Sequence, residues 1–211
     1  VLARLQLLIG DTDAAMELLE KGLDDNQPQE DVAALLGALK LKAEDFVGAE
    51  KLYLLGEKHF SANDRWAKGL ARIYLQNEDN GKLKPVLTKL ADLEPDSITL
   101  RKKLAELAVL SKDYAEGRIW ATQIIHLDLK DAEGHALLAE AAVGLKEFGV
   151  ASDEYKVALE LAENHNDWRF GLAQSLASEG RKEEARAAAQ AIRNKEPDFP
   201  GLRELLESLK P

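Results

Sequence analysis

The chain has 211 residues, of which 45% are hydrophobic and 31% charged, with no cysteine and a formal net charge of −10. The absence of cysteine excludes disulfides and thiol chemistry, and the acidic balance argues against nucleic acid as the main partner. No apolar stretch in the sequence approaches the length of about 18 residues that a membrane-spanning helix needs, so we expect no membrane span.

The sequence has a strict 34-residue period, without insertion or deletion. Counted from Glu30 as position 1, further repeats begin at Asp64, Ile98, Ala132 and Asn166. Position 8 is always small, and position 20 is small in five of the six repeats. Position 7 is leucine throughout, at Leu2, Leu36, Leu70, Leu104, Leu138 and Leu172. A strict period of this length is typical of stacked helical hairpins, each of which completes the core of its neighbour.

Apolar residues within a repeat recur at positions 3, 7, 10 and 14 and at positions 4, 8 and 11, which is the spacing of a helix face. A short polar break such as Ser111–Tyr114 then separates this helix from a second one. No segment shows the alternation of a half-buried strand. We therefore predict an all-α chain with two antiparallel helices in each repeat and small residues where they cross.

The third repeat contains a local exception to this pattern. Pro85 falls early in its second helix, after the polar segment Asn77–Gly81. Proline lacks the N–H that a helix needs beyond its first turn. We predict that this helix starts late or bends, and that the preceding loop is the most irregular in the chain.

The last segment has a different pattern. Leu202, Leu205, Leu206 and Leu209 form an apolar stripe, whereas the residues between them are mostly charged. This pattern predicts one amphipathic helix that covers the end of the array.

These residues resemble the tetratricopeptide repeat (TPR) family, which has large and small residues at positions 7 and 8, a small residue at position 20, and proline at position 32. Aromatic residues near positions 17 and 24, and the two terminal prolines, add to the likeness: Phe46, Tyr114, Phe148, Tyr53, Tyr155, Pro95 and Pro197. The resemblance implies a right-handed α-solenoid of antiparallel helix hairpins, a TPR superhelix, with a C-terminal capping helix. The expected repeats are 1–29, truncated at its N-terminus, then 30–63, 64–97, 98–131, 132–165 and 166–199, followed by the capping helix in 200–211. Because residue 1 falls inside a repeat, we expect the chain to be part of a larger protein.

In proteins of this family, positions 2, 5, 6, 9, 12 and 13 of the first helix face a ligand held in the concave groove. Carried over by position, the candidate peptide-binding residues are Arg65, Lys68, Arg72, Lys102, Lys103, Glu106, Leu137, Glu140 and Phe170. The five cations would form a basic patch that fits an acidic or carboxylate-bearing segment. The alternative is a solvated helix face balanced by Glu106 and Glu140. Phe170 is either an exposed anchor or a ring covered by the capping helix or a loop.

A specialised class of TPR proteins holds the C-terminal carboxylate of chaperone tails with lysine, asparagine and arginine at set positions. Lys68 matches the first of these, but Arg72 and Lys103 stand where asparagine belongs. Glu133 and Leu137 stand where lysine and arginine belong. We therefore do not expect binding of chaperone tails.

The sequence contains no pattern typical of a catalytic or metal-binding site. His59, His126, His135 and His165 lack the paired spacing of metal ligands, and the glycines do not form a phosphate-binding loop. No grouping of Ser, His and Asp resembles a catalytic site. We expect no enzyme activity, no cofactor and no metal.

The sequence thus predicts a protein–protein interaction or scaffold module that binds a peptide or protein segment in its concave groove. One alternative is a structural or self-association role in a homo-oligomer. The other is that the segment is an appendage of an enzyme located elsewhere in the full-length chain. Partner identity stays open, and the sequence is compatible with both the cytoplasm and the periplasm.

Overall fold

The computed structural model describes residues 2–210, and these residues form thirteen α-helices and no strand. None of these helices is both long enough and apolar enough to cross a membrane. The helices are α1 (Leu2–Leu8), α2 (Thr12–Gly22), α3 (Glu30–Lys42), α4 (Phe46–His59), α5 (Arg65–Gln76), α6 (Asn80–Leu93), α7 (Ile98–Leu110), α8 (Tyr114–Leu127), α9 (Ala132–Gly144), α10 (Phe148–Leu161), α11 (Asn166–Ser178), α12 (Lys182–Lys195) and α13 (Leu202–Ser208).

The helices group into two compact units, α1–α6 and α7–α13, divided between residues 95 and 96. In the first unit the pairs α1/α2, α3/α4 and α5/α6 each form a hairpin, and α2 and α4 also pack against the first helix of the next hairpin. The second unit repeats this arrangement with α7/α8, α9/α10 and α11/α12, and α13 packs on α12. The all-α array of antiparallel hairpins that the period predicts is confirmed.

The hairpin turns within residues 2–210 share one backbone path of three residues. The middle residue, at position 15, has a positive φ between 54° and 85° in all six turns. It is glycine in two turns and a charged residue in the others: Gly10, Glu44, Glu78, Lys112, Lys146 and Gly180. This left-handed residue ends one helix and reverses the chain, as in a Schellman-type cap.

Position 16 then starts the second helix of the hairpin. In four repeats an aspartate at this position accepts a hydrogen bond from the backbone N–H three residues on, at 2.9–3.3 Å. The four are Asp11, Asp45, Asp79 and Asp113. A side-chain oxygen in this place satisfies one of the N–H groups that the first helical turn leaves open.

The turn before Pro85 differs from our expectation. Helix α6 begins at Asn80, which is the same repeat position at which the other second helices begin, and Pro85 lies inside it. The predicted late start is therefore wrong, and so is the predicted irregular loop. Because Asp79 caps the helix through the Lys82 N–H, the helix nucleates upstream of the proline.

The core of each hairpin lies where the two helices cross. Ala105 at position 8 and Ala121 at position 24 are fully buried in the second unit, as are Ala151 and Ala185 at position 20. Side chains of this size let the two backbones approach closely, so larger residues can pack between hairpins. Trp66, at 0% exposure, is the largest of the fully buried side chains.

Helix α13 covers the end of the second unit. Leu202 and Leu209 are buried, and Leu205 and Leu206 pack against the same clusters. The Arg186 guanidinium donates a hydrogen bond to the Leu209 carbonyl, which ties the end of this segment to α12. The capping helix predicted from the apolar stripe is present over Leu202–Ser208.

Candidate functional site

The first helices of successive repeats lie side by side and form an inner face in each unit. In the first unit α3 packs next to α5, and in the second unit α9 packs next to both α7 and α11. Positions 2, 5, 6, 9, 12 and 13 of these helices are the ones that the family resemblance assigns to this face.

The inner face of the first unit contains a cavity of about 750 Å³. Most of its lining is aliphatic or aromatic, and the charged residues are two arginines and one aspartate. The lining residues are Arg4, Leu7, Leu8, Asp31, Ala34, Leu35, Ala38, Tyr53 and Arg65. A concave apolar surface with a few polar groups is typical of a binding site.

Tyr53 lies in the wall of this cavity and is 7% exposed. Its ring packs closely against the backbone of Gly69, where a Cβ atom would lie 2.5 Å from the ring. Burial raises the pKa of the Tyr53 hydroxyl, and the nearby charge of Arg72 partly offsets this rise. The hydroxyl makes no hydrogen bond within residues 2–210, so its donor is available to a ligand.

The arginines around the cavity differ in how far acidic side chains neutralise their positive charge. Within residues 2–210, Arg4 and Arg72 make no ion pair. The Arg65 guanidinium lies 3.9 Å from the Glu30 carboxylate, which is a loose contact between exposed groups. The inner face of the first unit therefore carries cationic charge that the chain itself hardly neutralises.

The lysines of the predicted basic patch are in a different situation. Lys68 Nζ lies 2.7 Å from the Asp64 carboxylate and 2.8 Å from that of Glu94. These pairs are solvent-exposed and contribute little stability, but they neutralise the lysine. Lys68 is thus less available to an acidic ligand than its helix position suggests.

Carboxylates of the second unit also neutralise the charges of Lys102 and Lys103. Lys102 Nζ lies 2.8 Å from both Asp131 and Glu133, and Lys103 Nζ lies 2.8 Å from Glu106. Three of the five cations in the predicted patch therefore have close carboxylate partners, and Arg65 has a looser one in Glu30. The partners of Lys68 and Lys102 lie in part on other loops and helices, so helix position alone could not identify them.

The two apolar candidates are largely enclosed. Leu137 is 6% exposed and packs in a core cluster with Ala105, Ala121 and Ile124, so it belongs to the core and not to an open ligand surface. Phe170 is half-buried, and its ring centroid lies 5.2 Å from that of Phe199. The segment leading into α13 thus packs on Phe170, which is the second of the two environments considered for this residue.

The inner face of the second unit is acidic around Glu140. This carboxylate is half-buried and makes no ion pair or hydrogen bond within residues 2–210. Burial raises the pKa of Glu140, and the negative charges of Glu106, Asp167 and Glu133 raise it further. The two units therefore present inner faces of opposite character.

Some residues of the cavity escaped sequence analysis. Arg4, Leu7, Leu8, Ala34 and Ala38 occupy inner-face positions of the first two repeats. The same positional rule that selected candidates in the third to sixth repeats would have found them there. The cavity itself depends on the packing of α1, α3, α4 and α5, which a single repeat does not reveal.

Histidine and acidic side chains do not gather into a metal site. Among residues 2–210 no group of three or more His, Cys, Asp or Glu side chains could hold a metal ion. His135 has a structural environment instead: its Nδ1 lies 2.6 Å from the Glu154 carboxylate and its Nε2 lies 3.1 Å from the Leu129 carbonyl.

The hairpin geometry and the 34-residue pattern together define a helical-repeat fold of the TPR type. No family model matches the chain, and no curated protein sequence matches it. The likeness is to solved structures of low sequence identity, and it concerns the fold.

Three solved structures illustrate the similarity. YrrB, a TPR protein with an unusual peptide-binding site, has a TM-score of 0.73 and 14% identity, over 91% of this chain and 99% of its own. MamA protein has a TM-score of 0.67 and 16% identity, over 81% and 95%. TTC0263, a thermophilic TPR protein of Thermus thermophilus, has a TM-score of 0.55 and 19% identity, over 86% and 98%.

Proposed function

We propose that the chain is a non-catalytic interaction module that holds a segment of a partner protein on the inner faces of its first helices. The cavity of about 750 Å³ in the first unit carries this proposal, because it joins an apolar floor to polar groups without internal partners. YrrB, which has a similar fold, is itself a TPR protein with an unusual peptide-binding site. A preformed surface of this kind binds an extended or helical segment with little loss of receptor entropy.

The chemistry of the cavity favours a partner segment that is apolar and carries a carboxylate. Leu7, Leu8 and Leu35 offer apolar contact. Arg4, Arg65 and the nearby Arg72 could each donate to a carboxylate, and guanidinium–carboxylate hydrogen bonds are the stronger, charge-assisted kind. Among the described lining residues, Asp31 is the acidic one. An acidic, apolar segment fits this balance better than a basic one.

Filling the cavity provides a direct test. Random dodecapeptides would be selected by display on the purified chain, and the best binder would be synthesised with a fluorescent label. We expect apolar peptides with Asp or Glu to be enriched. Ala38 is exposed and lines the cavity, so Ala38→Trp should block entry and weaken the affinity at least about tenfold, measured by fluorescence anisotropy.

Val47→Trp is the matched control, because Val47 is 81% exposed on α4 and does not line the cavity. This variant should bind the peptide as the unmodified chain does, and circular dichroism should show that both variants fold. If Ala38→Trp binds with unchanged affinity, or if selection yields no acidic, apolar peptides, the cavity is not the binding site.

A further inference from the structure

Glu140 is an uncompensated carboxylate on the inner face of the second unit. It lies on α9 at position 9, between α7 and α11, which pack on either side. Its acidic neighbours are Glu106 on α7, Glu133 on α9 and Asp167 on α11. Among these, Glu106 and Glu133 are paired with lysines, whereas Asp167, like Glu140, has no ion pair within residues 2–210.

This arrangement is unfavourable for the isolated chain. A half-buried carboxylate loses part of its hydration, and acidic neighbours add repulsion, so an unpaired charge in this place costs free energy. The lysines of the same face do not relieve Glu140, because Lys102 and Lys103 are engaged with other carboxylates. A ligand that brings a positive charge would offset both the lost hydration of Glu140 and the repulsion by its acidic neighbours.

A second, independent group is directed to the same place. Tyr155 is 5% exposed, and its hydroxyl makes no hydrogen bond within residues 2–210. Tyr155 packs in one core cluster with Ala139, the residue next to Glu140 in the chain. The charge of Glu140 adds to burial in raising the pKa of the Tyr155 hydroxyl. A Cβ atom on Gly171 would lie 2.6 Å from the Tyr155 oxygen, which places the oxygen at the inner face of α11. The Tyr155 hydroxyl and the Glu140 carboxylate, neither of which has a hydrogen-bond partner within residues 2–210, thus offer two acceptors at this face.

We infer that the inner face of the second unit binds a lysine or arginine side chain of a partner protein, with Glu140 as its counter-ion and the Tyr155 oxygen as a second acceptor. Charge complementarity selects this occupant, because both free acceptors are on an acidic surface. A metal ion is a poorer fit, since residues 2–210 contain no cluster able to ligate one. The inference concerns a different surface from the cavity at Tyr53 and does not depend on it.

The test compares two variants that make the same chemical change. Glu140→Gln removes the unpaired charge while keeping the shape, and Glu133→Gln removes a carboxylate that Lys102 already neutralises. Random dodecapeptides would be selected on the unmodified chain and on each variant. We expect Lys or Arg to be enriched at one position on the unmodified chain and on Glu133→Gln, and not on Glu140→Gln.

A selected peptide would then be synthesised with its basic residue or with norleucine in that place. The basic peptide should bind the unmodified chain at least about tenfold more tightly, and Glu140→Gln should bring this ratio close to one. Equal enrichment of basic residues on Glu140→Gln, or no enrichment on any protein, would overturn the inference. Ala38→Trp should leave this binding unchanged, so failure here and failure of the cavity proposal give different results.

Discussion

Glu140 couples the charge of one residue to the stability of the whole second unit. Burial and three acidic neighbours raise its pKa above the ordinary value of 4.5. An acid whose pKa is higher in the folded chain than in the unfolded chain favours folding when it is protonated. Its contribution is therefore present below about pH 4.5 and is lost as the pH rises through the raised folded-state pKa.

Replacing Glu140 by glutamine should raise the melting temperature near neutral pH, because the amide carries no charge to desolvate or repel. This increase in melting temperature should become smaller as the pH falls, and it should vanish below about pH 4.5, where Glu140 is itself protonated. Thermal unfolding followed by circular dichroism at a series of pH values would measure this. A melting temperature that Glu140→Gln lowers at neutral pH would show that the carboxylate has a stabilising partner.

The hairpin turn is the element that recurs most faithfully in this chain. Its middle residue adopts positive φ whether it is glycine, glutamate or lysine. For a residue with a Cβ atom this conformation costs about 1 kcal/mol, which glycine largely avoids. The cost is acceptable because the same turn satisfies the end of one helix and places aspartate to cap the next.

Lys112→Gly should therefore stabilise the chain by about 0.5 kcal/mol, since relief of strain exceeds the added entropy of the unfolded chain. Gly180→Ala should destabilise it by about 1 kcal/mol for the opposite reason. Lys156→Gly, inside helix α10, is the control, and it should cost about 1 kcal/mol. Urea unfolding would measure all three. Equal destabilisation by both lysine-to-glycine changes would contradict the strain argument.

At the scale of the whole molecule, successive repeats within each unit pack together through pairs of side chains. One is at position 24 and the other at position 6 of the next repeat, and in most of these pairs one is large and the other small. In the second unit Tyr155 at position 24 packs on Gly171 at position 6 of the next repeat, where a Cβ atom would lie only 2.4 Å from the ring. One repeat earlier the sizes are reversed, and Ala121 shares a core cluster with Leu137. The pair fills a similar space in both places, which follows from the close packing of interiors.

Replacing the Tyr155–Gly171 pair by an Ala–Leu pair should therefore destabilise the chain less than the two single substitutions do in sum. Tyr155→Ala alone should cost about 3 kcal/mol or more through the cavity it leaves, and Gly171→Leu alone should cost at least about 2 kcal/mol through its clash with the ring. The double variant should be less destabilised than the sum by about 2 kcal/mol. Denaturant unfolding would give the three free energies, and strict additivity would refute this pairing of large and small side chains.

The sequence determined much of this fold. The 34-residue period, leucine at position 7 and small residues at positions 8 and 20 predict hairpins of equal length, because helical spacing and side-chain volume are properties of the chain itself. It also indicated a solvating last helix from Leu202 and its apolar neighbours. The predicted late start of the helix that contains Pro85 was wrong, because the prediction did not take into account the N-cap that Asp79 provides.

The binding surface was decided by tertiary structure. Helix position placed Lys68 and Lys102 on the inner face, but carboxylates such as Glu94 and Asp131, which lie outside their helices, neutralise them. Leu137 occupies an inner-face position of its helix, but it packs in a core cluster with Ala121 of the preceding repeat. Charge pairing and exposure depend on distances between elements, and a sequence period cannot specify those distances because it repeats the backbone path and not the side chains placed on it.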